Sequence, residues 1–265
     1  MSERDGNPVR SIQKAAAVLD LLAQAQRPLS LTEIAQMTGW AKSTVYGLLC
    51  SMRNVGFVEQ SAETGRYALG VRLFEYGSAV QSTRNILTLS REPMRALVAA
   101  TSESAALSML DRGEVLVLGH AEPDSSFHIV SETGRHLPSF CTAQGKVLLS
   151  ELPGATVRRI FDAHVQAYTP HTATAYESLE AELKTVREKG YAVENGEFRV
   201  GIRGVAAPVR THSGTVQYAL GLIGMFRRID SDEFRDATAH VVKTAAALSE
   251  ALGYRQKAEN QPGAV

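Results

Sequence analysis

The sequence predicts an α+β chain with an N-terminal winged helix-turn-helix over residues 8–70, a linker helix over 71–85, an α+β domain over 86–255 and a flexible tail over 256–265. Three observations predict it. Apolar residues recur at helical spacing in three short runs before residue 55, and the third run leads into a hairpin pattern. From residue 104 the apolar period shortens towards that of strands. Helical runs are interspersed among those strand patterns and a last one closes the domain, as in α+β folds.

Ile12, Ala15, Ala16 and Leu19 form the first apolar face, continued by Leu22, with Ser11 placed to cap the helix. After Arg27-Pro28, Ser30-Leu31-Thr32-Glu33 reads as a capping box, in which serine and glutamate each satisfy a backbone N–H of the first turn. Leu31, Ile34 and Ala35 make a short second helix that Thr38-Gly39 ends. In "AKSTVYGLLC" and its continuation, Val45, Leu48, Leu49 and Met52 face the two preceding helices. Ser43, Gly47, Cys50 and Asn54 point the opposite way, with Lys42 and Tyr46 at one edge and Thr44 at the other. "GFVEQSAETGRYALG" then reads as a wing, Val58 to Gln60 and Arg66 to Leu69, closed around Thr64-Gly65.

This arrangement suits DNA. The start of the third helix would enter the major groove, where Ser43, Thr44 and Tyr46 reach base edges while Arg10, Lys42, Arg53 and Arg66 meet phosphates. Gly47 costs the helix about 1 kcal/mol relative to alanine, a cost that close approach of backbone to groove would offset. The plainer reading of the same residues is a small helical bundle with a solvated face. The formal net charge of zero argues weakly against nucleic acid, and the nine basic against seven acidic residues through residue 85 give only a small local excess.

"VRLFEYGSAVQSTRNILTLSREPMRALVAAT" is helix-compatible apart from Gly77 and Pro93, with Val71, Phe74, Val80, Ile86, Leu89 and Leu97 supplying apolar stripes. It reads as a connector and the first helix of a second domain. The connector's apolar side is a candidate dimer contact, and a two-fold dimer matches a palindromic DNA site. Beyond it, "SAALSML" and "EVLVLGH" are strands around Asp111-Arg112-Gly113, and "SFHIVSETGRHLPSF" is a second hairpin around Thr133-Gly134. "AQGKVLLSEL" and Pro153 to His164 are helices. "YESLEAELKTVREKGY" is amphipathic, with Leu179, Leu183 and Val186 inward and Gly190 at its end. "GVAAPVR" and "VQYALGLIG" are strands around Ser213-Gly214, and Asp230-Ser231-Asp232-Glu233 starts a closing helix that runs to about Tyr254.

No apolar run approaches a membrane span and "MSERDGNPVR" lacks the apolar core of a signal peptide, so a cytoplasmic location is expected. The two cysteines, Cys50 and Cys141, offer neither a disulfide framework nor a zinc-finger spacing. Neither metal nor cofactor is expected. "AQGK" lacks the Ser/Thr that a P-loop requires after lysine, because Val147 stands there. His120, Glu122, Asp124, His128 and His136 follow no recognisable ligand spacing. Cys141 has no recognisable activating base nearby in sequence. Cys50 reads as a small residue on an exposed face; a redox role would require a lowered thiol pKa.

"SIQKAAAVLDLLA", "LSLTEIAQMTGWAKSTVYGLL", "HLPSFCTAQGKVLLSELP" and "AYTPHTATAYESLEAELKTVREKGYAVENGEFRVGIRGVAAPVR", in this order, resemble the IclR family of bacterial transcription regulators over roughly residues 9–254. The resemblance implies a winged helix-turn-helix, a linker helix and a GAF-like effector-binding domain, assembled as a homodimer or as a dimer of dimers. It further implies a ligand-responsive regulator of double-stranded operator DNA, a repressor of a catabolic operon, and no enzyme. Carried over, its ligand positions fall on Ile129, Ala143, Gln144, Glu194, Ile202, Gly204, Gly221 and Ile223. Members often carry proline at Ala41, arginine at Gly47, cysteine at Gly204 and serines at Gly221 and Ile223, so one DNA contact is missing here and the pocket should be roomier and less polar.

Thr142, Ala143, Gln144, Gly145 and Lys146 lie where loop becomes helix. Unpaired N–H groups and the positive end of the dipole favour an anion there, with Thr142 and Gln144 adding hydrogen bonds. The expected effector is therefore a small organic acid with an apolar or aromatic body. The competing expectation is a small-molecule binding or catalytic module whose N-terminal helices serve oligomerisation.

Overall fold

The computed structural model describes residues 9–25, 27–79, 81–124, 129 and 132–255. The chain divides into two compact units, Met1–Arg84 and Asn85–Val265.

In the first unit, α1 (Arg10–Ala25), α2 (Leu31–Thr38) and α3 (Lys42–Asn54) precede the hairpin β1 (Val58–Gln60) and β2 (Tyr67–Leu69), and α4 (Arg72–Ala79) follows. The capping box of α2 is complete: the Ser30 N–H donates to Glu33 at 2.7 Å and the Glu33 N–H donates to Ser30 Oγ at 3.3 Å. Gly39 ends α2 at φ 70°, a left-handed conformation that glycine adopts without steric cost. Val18, Leu22, Ile34, Val45, Leu49 and Met52 form the core with Leu29, Val58 and Tyr67 from the strand side. Each large aliphatic side chain there contributes roughly 1.5–3 kcal/mol through removal from water. Leu29 bridges to Tyr67 and widens the wing.

Two expectations for α1 need correction. Ser11 is no cap, because the Val9 carbonyl accepts the Ile12 and Gln13 N–H groups and the helix begins at Arg10. The buried stripe is rotated as well: Val18 and Leu22 are buried, whereas Ile12 and Ala16 are exposed. The expected Ala15 and Leu19 are half-buried and pack against the edge of the same core.

Gly77 and Pro93 fall inside helices rather than between them. Gly77 lies in α4, and Pro93 in α5 (Gln81–Thr101), where its ring has no N–H to give the preceding turn. The second unit continues with β3 (Ser104–Asp111), β4 (Glu114–Ala121), β5 (His136–Pro138), α6 (Ala143–Ser150), α7 (Gly154–His164) and α8 (Tyr176–Lys189). β6 (Ala192–Asn195), β7 (Arg203–Arg210), β8 (Val216–Gly224) and α9 (Asp232–Ala251) complete it. Arg112 at φ 50° and Gly113 at φ 88° make the tight β3–β4 turn.

The six strands form one antiparallel sheet in the order β5-β4-β3-β8-β7-β6. Side chains alternate between its faces. Tyr218, Leu220 and Leu222 of β8 join Leu97 of α5 and Phe234 and Val241 of α9. Ala219, one step out of phase, joins Val147 of α6 and Val186 of α8. α7 packs on α8 through Phe161 and Leu183.

Of the expected second hairpin, the turn at Thr133-Gly134 and the strand after it are described. β5 pairs with β4, Val115 opposite Leu137, and the Gly134 N–H donates to the Val117 carbonyl; the strand expected before Thr133 falls largely outside the described residues. β6 is an addition to the sequence reading. Val80, His128 and the tail 256–265 lie outside the described residues. Among those described, no helix is long and apolar enough to cross a membrane.

Candidate functional site

The outward face of α3 is built by the inward one. With Val45, Leu49 and Met52 buried, helical geometry turns Lys42, Ser43, Tyr46 and Gly47 to solvent and leaves Thr44 half-buried. Nothing lies within 4 Å of where a Gly47 side chain would stand. A hydrogen bond with Cys50 raises the Tyr46 phenol pKa, so the phenol stays protonated as a donor. Arg10 is exposed on α1. Two other arginines tie the wing down: Arg53 donates to Gln60 at 2.7 Å, and Gln60 to the Gly65 carbonyl at 3.0 Å. Arg66 donates to Glu33 at 2.8 Å and to the Pro28 carbonyl at 3.1 Å.

In the second unit, strand register assembles a row across the sheet. Glu194 of β6 pairs with Gly204 of β7, Gly204 with Ile223 of β8, and Ile223 with Ser104 of β3. Ser104 Oγ holds the Ile129 carbonyl at 2.7 Å, bringing that loop residue to the row. In the next row Gly221 lies between Ala106 and Ala206. Gln144 fills the space above it: a Gly221 Cβ would stand 2.9 Å from Gln144 Cγ, and Gln144 Nε2 donates to Ser108 Oγ at 3.2 Å.

All eight residues of α6 are buried. Close approach requires Gly145, since a Cβ there would stand 2.0 Å from the Ser139 carbonyl oxygen. The first turn is largely satisfied from within. Thr142 Oγ1 accepts the Gly145 N–H at 3.3 Å and donates to the Pro138 carbonyl at 2.7 Å. The Glu194 carboxylate accepts the Phe198 N–H at 3.2 Å and is also stabilised by the Ala143 N–H. Expected free N–H donors for an effector anion are thus partly taken by the chain's own carboxylate. Burial pushes Glu194 up to about 7, against the lowering effect of the Phe198 N–H.

Ile129, Thr142, Gln144, Glu194, Ile202 and Ile223 line one cavity. Ala143 and Gly204 adjoin Glu194, and Gly221 lies beneath Gln144. The free space is about 60 Å³.

The same fold recurs in known proteins. A family described as "Bacterial transcriptional regulator IclR C-terminal" matches residues 78–250, and the IclR helix-turn-helix domain matches residues 11–62. The chain belongs to the IclR family of bacterial transcriptional regulators. The HTH-type transcriptional regulator XynR of Escherichia coli is 32% identical, over 93% of this chain and 98% of its own. The glycerol operon regulatory protein of Streptomyces coelicolor is 34% identical, over 92% and 97%. The crystal structure of an IclR transcriptional regulator from Alicyclobacillus acidocaldarius is 30% identical, covers 93% of this chain and all of its own, and superposes with a TM-score of 0.80.

Against the IclR-family pattern, the small residues at Gly204 and Gly221 do not leave the roomy pocket that their size suggests, because Gln144 occupies the space above Gly221. The cavity also contains residues that sequence reasoning missed, notably Arg135, Phe198 and Arg199. Their only signal in the sequence was a pair of arginines flanking short strands. Lys146 of this IclR-family chain points away from the phosphate-loop role that was excluded: its ammonium contacts Glu182 at 2.5 Å and Glu197 at 2.6 Å. Burial pulls its pKa down, and the two carboxylates more than offset that, so it stays charged. Burial and the nearby Glu194 and Glu197 push the Cys141 thiol well above its ordinary range, away from nucleophilic thiolate. His136 pairs with Asp111 at 3.0 Å and His120 approaches Thr133 at 3.1 Å. Among the described residues, no three His, Cys, Asp or Glu side chains gather as for a metal ion.

Proposed function

We propose that this IclR-family regulator represses a catabolic operon in the cytoplasm and that a small organic acid, bound in the cavity beside Glu194, changes its operator affinity. The observation that carries the effector assignment is the convergence of Ile129, Thr142, Gln144, Glu194, Ile202 and Ile223 on one cavity. On the DNA side the reading rests on the solvent-facing Lys42, Ser43 and Tyr46, with Thr44 beside them. Arg10 and the remaining N–H groups of Arg53 and Arg66 would add phosphate contacts. An effector with an aromatic body would require the Gln144 side chain to move off Gly221.

The name of the glycerol operon relative supports control of a catabolic operon; repression follows the family resemblance. A homodimer or a dimer of dimers fits the exposed Val71 and Phe74 of the linker segment, which would be covered by a second copy. The effector would act by linkage, binding one arrangement better than another and shifting operator affinity by the ratio of those affinities. The test is a gel shift of the purified protein on its own upstream intergenic DNA across a salt series, with and without short organic acids. Specific retention with a steep salt dependence, altered by an acid, is the expected result. Absence of retention at low salt by an intact oligomer would overturn the DNA-binding reading.

A further inference from the structure

The cavity of the second unit has a polarity opposite to the one that a helix N-terminus alone suggests. Its inner end is acidic. Glu194 is buried there, holds the Phe198 N–H, and lies with Oε2 3.7 Å from where a Gly204 side chain would begin. Its charged and titratable neighbours are Lys146 in α6, Cys141 just before that helix, and Glu197 on the loop after β6. The Lys146 ammonium is engaged by Glu197, Glu182 and the Val193 carbonyl. The outer end carries two arginines against one carboxylate, Glu132, which also lines the cavity. Arg135 and Arg199 line the same cavity and are exposed, Glu132 standing 3.7 Å from Arg135 and the Arg199 guanidinium over the Phe198 ring at 5.5 Å. The space is small, about 60 Å³, which limits the ligand to a short chain.

We infer that the cavity takes a short hydroxy acid, its hydroxyl directed inward to donate to Glu194 and its carboxylate outward to Arg135 and Arg199. The inference rests on the effector reading above and assigns the effector's chemical class and orientation. An inward carboxylate would meet the buried Glu194 carboxylate, and like charges in a site screened from water repel strongly. A guanidinium is the side chain best shaped for a carboxylate. A buried acceptor that holds a ligand hydroxyl also discriminates against the analogue without it, since the acceptor is then left unpaired.

The experiment is calorimetric titration of the full-length protein with ω-hydroxy acids of two to four carbons, each beside the acid lacking the hydroxyl, between pH 6 and pH 8. At least one hydroxy acid should bind ten-fold or more tightly than its unsubstituted partner. Its affinity should rise with pH and level off above about 7, as Glu194 ionises and becomes the better acceptor. Glu194→Gln should flatten that profile. Arg199→Ala should weaken binding at least ten-fold, and Arg135→Ala should weaken it further. Equal affinity for an acid with and without its hydroxyl overturns the inference. So does an affinity that falls about ten-fold per pH unit above 7, the mark of a carboxylate seated against protonated Glu194. Failure of every hydroxy acid to bind at millimolar concentration overturns it too, while the gel shift decides the DNA-binding reading separately.

Discussion

The guanidinium of Arg66, in the loop that closes the wing, meets the Glu33 carboxylate in the first turn of α2 at 2.8 Å, across 33 residues of chain. Glu33 thereby serves twice, as the N-terminal partner of Ser30 in the capping box and as the anchor of the hairpin. Arg66→Ala and Glu33→Gln should each lower the thermal midpoint of the first unit by a few degrees, and the double variant should lose less than the sum. Trp40, the only tryptophan in the chain, reports this transition by fluorescence.

That carboxylate also sets an acid limit. Hydrogen bonds from the Ser30 backbone and hydroxyl, then from Arg27, hold Glu33 at about 2, below the ordinary 4.5. A depressed folded-state pKa contributes stability that is fully present above the ordinary value and lost as pH falls through the folded one. The Trp40 transition should weaken between about pH 4.5 and pH 2, and Glu33→Gln should remove part of that dependence.

Two α3 substitutions separate position from readout. Lys42→Ala should weaken binding similarly on every DNA sequence and reduce the salt slope by about one. Tyr46→Ala should cost about 1–3 kcal/mol on the operator and much less on unrelated DNA. Equal losses from Tyr46→Ala on both would remove Tyr46 from base readout; fluorescence anisotropy over a salt series measures both quantities.

Gly221→Ala forces a Cβ to within 2.9 Å of Gln144 Cγ. Gln144 has to shift, either into the cavity or out of its bond to Ser108, at a cost of about 1–3 kcal/mol. The expected outcome is operator binding close to wild type with the effector response lost, as read by gel shift with and without ligand.

Lys146→Met leaves Glu197 buried without its cation. Breaking a buried pair from one side costs about 3–5 kcal/mol, and replacing both partners with apolar residues recovers much of it. Urea unfolding of Lys146→Met and of Lys146→Met combined with Glu197→Leu checks this, with the double variant expected to be the more stable.

Local signals made much of the fold legible. Ser30 and Glu33 are three residues apart, and Val45, Leu49 and Met52 repeat within one helix, so neighbours in sequence were neighbours in space. The same logic failed for α1, where two apolar stripes overlap and only packing against α2 and α3 chose Val18 over Ile12. It failed for β6, whose four residues gain their identity from pairing with β7.

By itself the sequence determined most of the helices and strands, several of the turns between them, and that α3 carries a polar outward face, because periodicity and capping act over a few residues. It also displayed the family pattern that pointed to Glu194, Gly204 and Ile223. Only the tertiary structure decided that these three share one row of the sheet, that Gln144 fills the space above Gly221, and that Arg135 and Arg199 stand at the other end of the cavity. Strand register, burial and the field around a carboxylate depend on groups far apart in the chain, and no local pattern encodes them.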